Sequence, residues 1–412
     1  MSRGRRSPPG TLNPGRLAAG RALMEVDRGG HLDDALGAGL PATDAALARH
    51  LAWTVARHRG QLDAAIQRTA RRPVTRVDPP VRTALRVGLA ELHLSRTPPH
   101  AAVDQAVRLV QALGAGHAKG FVNAVLRNGA LPPDPAPTLN HPGWLVDRWT
   151  ERYGPDAVAA WCRRNDAPAP LAVVCRGAPE VEGCGVRPAT AAGRPVPDAW
   201  WIDDFKGAVT QLPGFEEGAL WVMDPAAAAV ADLLDARPGQ RVLDACAAPG
   251  GKTLRLAATS AQVTAADRSP SRLERLQGSL SRTGRSATVR VVDWETDPWT
   301  PTDPFDAVLV DAPCTGLGTL RRHPEIRWNR HPTDPAAMAI RQLAILRAAA
   351  RAARPGGTLV YAVCSPEPEE GPGVVSRLLQ ERDDLKMDAE LLTAPPHADE
   401  DAHYAARLLV ME

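Results

Sequence analysis

Apolar residues recur at three- and four-residue spacings through residues 14–129, and beyond residue 224 give way to short apolar runs alternating with amphipathic segments. The first pattern predicts helices. Leu47, Leu51, Trp53 and Val55 fall on one side of a segment that carries Arg49, Arg57 and Arg59 on another, with Thr43 and Asp44 as N-caps. Val81, Leu85, Leu89, Leu92 and Leu94 continue it, then Val103, Val107 and Val110, then Phe121, Val122, Val125 and Leu126. Pro98-Pro99 and Gly114-Ala115-Gly116 separate the last helices. The proline-rich stretch 131–142 reads as a linker after an all-α domain spanning 14–130.

Residues 143–222 predict a small α+β connector, with a helical stretch anchored by Trp144, Trp149 and Tyr153 and one strand from Leu171 to Val174. Residues 223–412 read differently. Helices are expected at 224–235, 251–259, 270–282 and 334–354, and strands at 241–245, 262–266, 287–292, 306–311 and 357–363. Such alternation predicts an α/β domain with a doubly wound, Rossmann-like parallel sheet.

Composition narrows the class. With 44% hydrophobic and 23% charged residues the chain is not disordered. No apolar run approaches the ~20 residues needed to cross a bilayer, and the first 16 residues lack the apolar stretch of a secretory signal. A cytoplasmic protein with no membrane association, and a monomer, is expected. Six cysteines without a C-x-x-C pair suggest neither a disulfide scaffold nor a zinc or other metal site. The net charge of +2 hides a division: residues 1–130 hold 19 Lys and Arg against 9 Asp and Glu, the remainder 30 against 38. A basic N-terminal third points to a polyanion such as nucleic acid.

The strand ends carry the chemistry. The first strand of the α/β domain runs through Asp244 and Ala245 into Cys246, Ala247, Ala248, Pro249, Gly250, Gly251 and Lys252 before a helix. Glycines there allow close backbone approach, and a helix N-terminus offers free amides. The spacing is neither G-x-G-x-x-G nor the phosphate-binding G-x-x-x-x-G-K-[ST]. Asp267 ends the second strand, where a carboxylate can accept ribose hydroxyls, and Asp293 ends the third. A ribose and base pocket without a phosphate clamp suits S-adenosylmethionine. Cys314, after Asp311-Ala312-Pro313, and Cys364 end the next two strands and should face one cleft. Carbon 5 of a cytosine is too weak a nucleophile to take a methyl group directly. A thiolate adding to carbon 6 turns the ring into an enamine that can, so one cysteine would attack and the second would assist proton removal or release. Asp311 would stabilise the base at its N3/N4 edge.

Three motifs carry a family resemblance: Asp244-Ala-Cys-Ala-Ala-Pro-Gly-Gly-Lys-Thr253, Asp311-Ala-Pro-Cys-Thr-Gly-Leu-Gly-Thr-Leu-Arg-Arg-His-Pro-Glu-Ile-Arg-Trp328 and Tyr361-Ala-Val-Cys-Ser-Pro-Glu-Pro-Glu-Glu370. They resemble the RNA cytosine-5 methyltransferases. Residues 15–130, with Pro98-Pro-His-Ala-Ala-Val and Gly120-Phe-Val-Asn-Ala-Val-Leu-Arg127, resemble the NusB-type RNA-binding domain. The pairing is similar to the bacterial 16S ribosomal RNA methyltransferases of the RsmB or Sun type. That likeness implies S-adenosylmethionine at Cys246 to Lys252, Asp267, Asp293 and Asp311, with Cys364 as nucleophile and Cys314 resolving the adduct. The implied partner is 16S ribosomal RNA or an early small-subunit assembly intermediate. The chain departs from the family at Val363, where Thr is usual, and at Asp401-Ala-His403-Tyr404, where Asp-Gly-Phe-Phe is usual. The connector from Cys175 to Gly214 lacks the usual Arg-x-Asn.

Three other readings compete. An amino-group methyltransferase would place Pro and an aromatic after Pro313, where this chain has Cys314. A non-catalytic NusB-like RNA-binding or antitermination factor would have lost a cysteine or a cofactor acid, and all are present. A cytosine-5 methyltransferase acting on another RNA, such as tRNA, shares the same active-site motifs.

Overall fold

Asn13 opens the first helix by accepting the Arg16 amide on its side chain at 3.2 Å, and Pro14 supplies a fixed φ at the first helical position. The computed structural model describes residues 11–37, 39–395 and 399–412. They form two compact units: the residues up to Pro168 with Leu320–Arg330, and Ala169–Thr319 with His331–Glu412.

The first unit is helical: α1 (Pro14–Val26), α2 (Leu32–Ala35), α3 (Ala42–Arg57), α4 (Arg59–Ala70), α5 (Pro79–Leu94), α6 (Pro99–Ala112), α7 (Lys119–Asn128), α8 (Gly143–Tyr153) and α9 (Pro155–Asn165). Leu51, Val55, Leu85, Leu89, Val122 and Leu126 meet in its core, as their spacing predicts. Gly88 lets three helices close on one another, since a Cβ there would stand 2.8 Å from Leu126 and 2.9 Å from Ala106. Two sequence expectations shift. α3 starts at Ala42, behind Pro41, so Thr43 and Asp44 lie inside its first turn and Asp44 instead accepts the Asn13 side-chain amide at 3.0 Å. Arg57, expected on the polar side, is buried and donates to the Arg321 carbonyl at 3.2 Å.

Several arginines of this unit are paired internally. Arg16 grips the fully buried Glu91, and Arg59, Arg82 and Arg86 surround Asp27. Burial alone would raise the Asp27 carboxyl, but those guanidinium charges outweigh it and hold it below the usual range. Arg71, Arg72, Arg76, Arg96, Lys119 and Arg127 remain exposed. These exposed cations are available to a polyanion.

The second unit begins with β1 (Leu171–Cys175), β2 (Gly185–Ala191), β3 (Arg194–Asp203) and β4 (Leu220–Val222), an antiparallel sheet in the order β2-β3-β1-β4. The stretch 143–222 thus holds two helices in the first unit and four strands in the second. Then come α10 (Pro225–Leu233), β5 (Arg241–Asp244), α11 (Gly251–Ala257), β6 (Gln262–Asp267), α12 (Pro270–Arg282), β7 (Thr288–Val291) and β8 (Phe305–Asp311). The short α13 (Ile326–Asn329) belongs to the first unit, where the buried Arg327 guanidinium meets Asp166 at 2.9 Å and the Asn140, Asn165 and Leu320 carbonyls at 3.1 Å. α14 (Asp334–Ala350), β9 (Ala353–Val363), α15 (Pro372–Glu381), β10 (Leu385–Leu392) and β11 (Tyr404–Val410) complete the chain.

The large sheet runs β10-β11-β9-β8-β5-β6-β7. Its strands β5 to β9 pair in parallel as expected, but the sheet is mixed, because β11 is antiparallel to β9 and to β10. Strand order reverses between β5 and β8, and the carboxyl ends of strands at such a switch point define the cleft of a doubly wound fold.

Candidate active site

β5 delivers Asp244 to the sheet's carboxyl edge, and the chain turns through Ala245–Gly250 into the N-terminus of α11. Gly250 has φ +118°, and a Cβ there would lie 2.4 Å from Leu276, so the turn admits only glycine without strain. The Ala247 amide donates to the Ala266 carbonyl at 2.9 Å, and the Ala248 amide to Asp267 Oδ2 at 3.1 Å. Asp267 Oδ1 accepts the Ser269 amide at 2.9 Å. This nearly buried carboxylate therefore holds the glycine loop against the end of β6, with one lone pair on each oxygen unused among the described residues.

Lys252 Nζ lies 2.6 Å from Asp311 Oδ2 at the end of β8. Burial disfavours the Lys252 charge, but Asp311 and the Cys364 sulfur across the cleft outweigh it and raise the lysine above its ordinary value. Asp244 is fully buried, accepts the Thr253 hydroxyl at 2.7 Å on Oδ2, and has no partner on Oδ1 among the described residues. Burial first, against the Thr253 hydrogen bond, pushes its carboxyl up to about 7. Cys246 is raised well above an ordinary thiol by burial and by the charges of Asp244, Asp267 and Asp311, so it stays protonated.

The two cysteines expected on neighbouring strands do meet: Cys314 Sγ and Cys364 Sγ are 3.3 Å apart. Ala312 N donates to Ala362 O at 2.9 Å and Gly318 N to Cys364 O at 3.0 Å, so the two cysteine-bearing turns are tied backbone to backbone. Cys314 is raised well above an ordinary thiol by its hydrogen bond to Cys364, by burial and by the charges of Cys364 and Glu370.

Residues 231–409 match the family described as 16S rRNA methyltransferase RsmB/F, and residues 13–130 match the NusB family. The chain is 36% identical over 393 residues to ribosomal RNA small subunit methyltransferase B of Pseudomonas syringae pv. tomato, covering 89% of this chain and 87% of that protein. It is 37% identical over 388 residues to the protein of the same name from Xanthomonas campestris pv. campestris, covering 90% and 89%. The chain belongs to the RsmB/F family of 16S rRNA methyltransferases. The crystal structure of PH0851 shares its fold with a TM-score of 0.79 at 21% identity, covering 97% of this chain and 99% of that one.

Against the RsmB/F family pattern, the departures fall in packed positions. Val363 is buried on β9 and pairs in register with Tyr404. Tyr404 Oη donates to Glu390 at 2.6 Å, and the buried His403 has no partner on Nδ1 among the described residues. Burial and the Lys252 charge lower the His403 imidazole to about 4, so it is neutral at physiological pH. Asp293, expected among the cofactor acids, accepts the Glu295 amide at 2.9 Å within its own turn, and that bond first, against burial, holds its carboxyl below the usual range. Asp244, Gln342 and Glu370 escaped the sequence reading as site residues. For Glu370 the signal lay in a carboxylate six positions after Cys364.

Proposed function

We propose that this chain transfers a methyl group from S-adenosylmethionine to carbon 5 of a cytidine in 16S ribosomal RNA, through an adduct on Cys364. The observation that carries the reading is the pair of sulfurs 3.3 Å apart at the ends of the parallel neighbours β8 and β9, beside the Lys252–Asp311 ion pair. The cofactor supplies an electrophilic methyl on a sulfonium. An orphaned, buried Asp244 Oδ1, the two available lone pairs of Asp267 and the glycine turn at Gly250 fit a polar, neutral-sugar ligand at the ends of β5 and β6.

The residues divide the work by protonation. Cys314 holds its proton and can donate it in a hydrogen bond to the Cys364 sulfur, and the Lys252 ammonium attracts negative charge as it develops there. Cys364 adds to carbon 6 of the cytosine, making carbon 5 an enamine carbon able to take the methyl group. Asp311 faces the base's N3/N4 edge. After methylation the carbon 5 proton passes to water, and the Cys314 thiol, by hydrogen-bonding to the Cys364 sulfur, helps the carbon 6–sulfur bond break, so that elimination of Cys364 as a thiolate restores the aromatic ring. The NusB-family match and the exposed cations of the helical unit support RNA as the partner.

The test is bisulfite sequencing of small-subunit RNA after incubation with the protein and S-adenosylmethionine. A cytidine that becomes resistant to deamination supports the reading. Methyl transfer only to an exocyclic nitrogen, or only to tRNA, rejects it. A second expectation concerns the cofactor alone. Asp267→Ala removes the acceptor for two ribose hydroxyls and the anchor of the Ala248 amide, and charged hydrogen bonds of ~1.5–3 kcal/mol predict roughly tenfold to hundredfold weaker cofactor binding. Calorimetry giving wild-type affinity in a folded Asp267→Ala protein would take Asp267 out of the site.

A further inference from the structure

Glu370 is fully buried between β9 and α15, and its carboxylate touches little besides the two cysteine turns. Oε1 accepts the Thr315 amide at 2.7 Å and Gln342 Nε2 at 3.0 Å. Oε2 accepts the hydroxyls of Thr315 and Ser365. Thr315 follows Cys314 and Ser365 follows Cys364. Gln342, on α14, also donates to the Pro313 carbonyl at 3.0 Å, so Cys314 is fixed on both sides. Tyr361 Oη donates to the Glu370 carbonyl at 2.6 Å and anchors the residue to β9.

Four donors use the lone-pair positions of an ionised carboxylate, which in that state accepts and cannot donate. Desolvating such a charge is costly, and a well-packed apolar side chain in its place is often no less stable. Core stability alone does not account for a carboxylate here. Its four bonds instead join two turns that no sequence neighbour connects.

We propose that Glu370 is the positioning residue of the thiol pair: one buried carboxylate holds the residue after each cysteine and thereby sets the separation of the two sulfurs. The catalytic meaning of that separation rests on the function proposed above, but the separation itself can be measured without methyl transfer. A displacement of about 1 Å at reacting atoms can cost on the order of a hundredfold in rate, so the loss of the clamp should be large.

The experiment treats the full-length protein with diamide, which takes two hydrogens from a thiol pair to form a disulfide and is itself reduced to the hydrazine. The Cys314–Cys364 linked peptide is quantified by mass against time, which separates it from the other four cysteines. In Glu370→Gln, whose amide turns two donors' acceptor into a donor, the linked peptide should form about tenfold more slowly or worse. Methyl-transfer kcat should fall with it, while the KM for RNA, the affinity for S-adenosylmethionine and the melting temperature stay near wild type. Thr315→Val removes one hydroxyl donor and leaves the amide, and should fall between the two proteins. If Glu370→Gln does not fold, Thr315→Val and Ser365→Ala carry the test. A linked peptide formed at the wild-type rate in the folded variants overturns the proposal. Slowed linkage with unchanged kcat would keep Glu370 as the positioning residue and instead sink the reading of the two thiols as catalytic.

Discussion

Cys314→Ala should trap the RNA on the protein, and Cys364→Ala should not. The two sulfurs lie 3.3 Å apart on equivalent turns, so proximity does not separate them. Their surroundings do. Cys314 is held protonated by its hydrogen bond to Cys364, by burial and by Glu370, whereas Cys364 lies within electrostatic reach of the Lys252 ammonium. Removing Cys364 removes the attacking atom, and turnover should fall by at least about a thousandfold, with RNA and cofactor still bound. Removing Cys314 leaves attack and methylation possible but slows breakage of the carbon 6–sulfur bond, and with it release. The readout is a denaturant-stable band of raised mass, sensitive to nuclease, formed by Cys314→Ala with RNA and S-adenosylmethionine and absent from Cys364→Ala. The opposite pattern would exchange the roles, and no band from either variant would leave the thiol mechanism without support.

The parallel core of the fold and both cysteine turns were legible because each is encoded locally. β5, β6, β8 and β9 are short apolar runs closed by Asp244, Asp267, Asp311 and Cys364, and the sheet's topology alone places those ends along one edge. Of the connector sheet only β1 was legible. Its β2–β3 hairpin turns at Ala192 and Gly193, both with positive φ, without the usual Asn-Gly signal, and Pro188, Pro195 and Pro197 interrupt the strands it joins. β10 was readable in retrospect, since burial alternates along Leu385-Lys386-Met387-Asp388-Ala389-Glu390. Nothing local reports that β11 inserts antiparallel beside β9. The clamp at Glu370 is illegible for the same reason, because its partners Thr315 and Gln342 lie 55 and 28 residues away. Not every arginine in the count faces outward, as Arg16, Arg59, Arg82 and Arg86 pair with buried or half-buried carboxylates, but the count already subtracts those acids and the basic excess of the helical third stands.

Gly318→Ala should abolish most activity through a single methyl group. Gly318 sits in the turn Leu317–Thr319, four residues after Cys314, and its peptide is held on both sides: its amide donates to the Cys364 carbonyl and its carbonyl accepts the Ala402 amide, each at 3.0 Å. A Cβ there would fall 1.9 Å from the Ala402 oxygen and 2.8 Å from the Cys364 oxygen. Both are backbone atoms, just before β11 and just after β9, so no side-chain rotation relieves the overlap, and the turn must move away from Cys364 or from the approach to β11. Overpacking of this kind costs about 1–3 kcal/mol of stability. A shift of about 1 Å between the two thiols costs on the order of a hundredfold in kcat. Gly278 provides the matched control. It lies exposed within α12, a Cβ there meets nothing within 4 Å, and alanine is the better helix former by roughly 1 kcal/mol. Gly278→Ala should therefore keep full turnover and melt no lower than wild type. Should Gly318→Ala retain kcat within about threefold of Gly278→Ala, the close approach of this turn to the Cys364 peptide would not be what holds the two sulfurs in register.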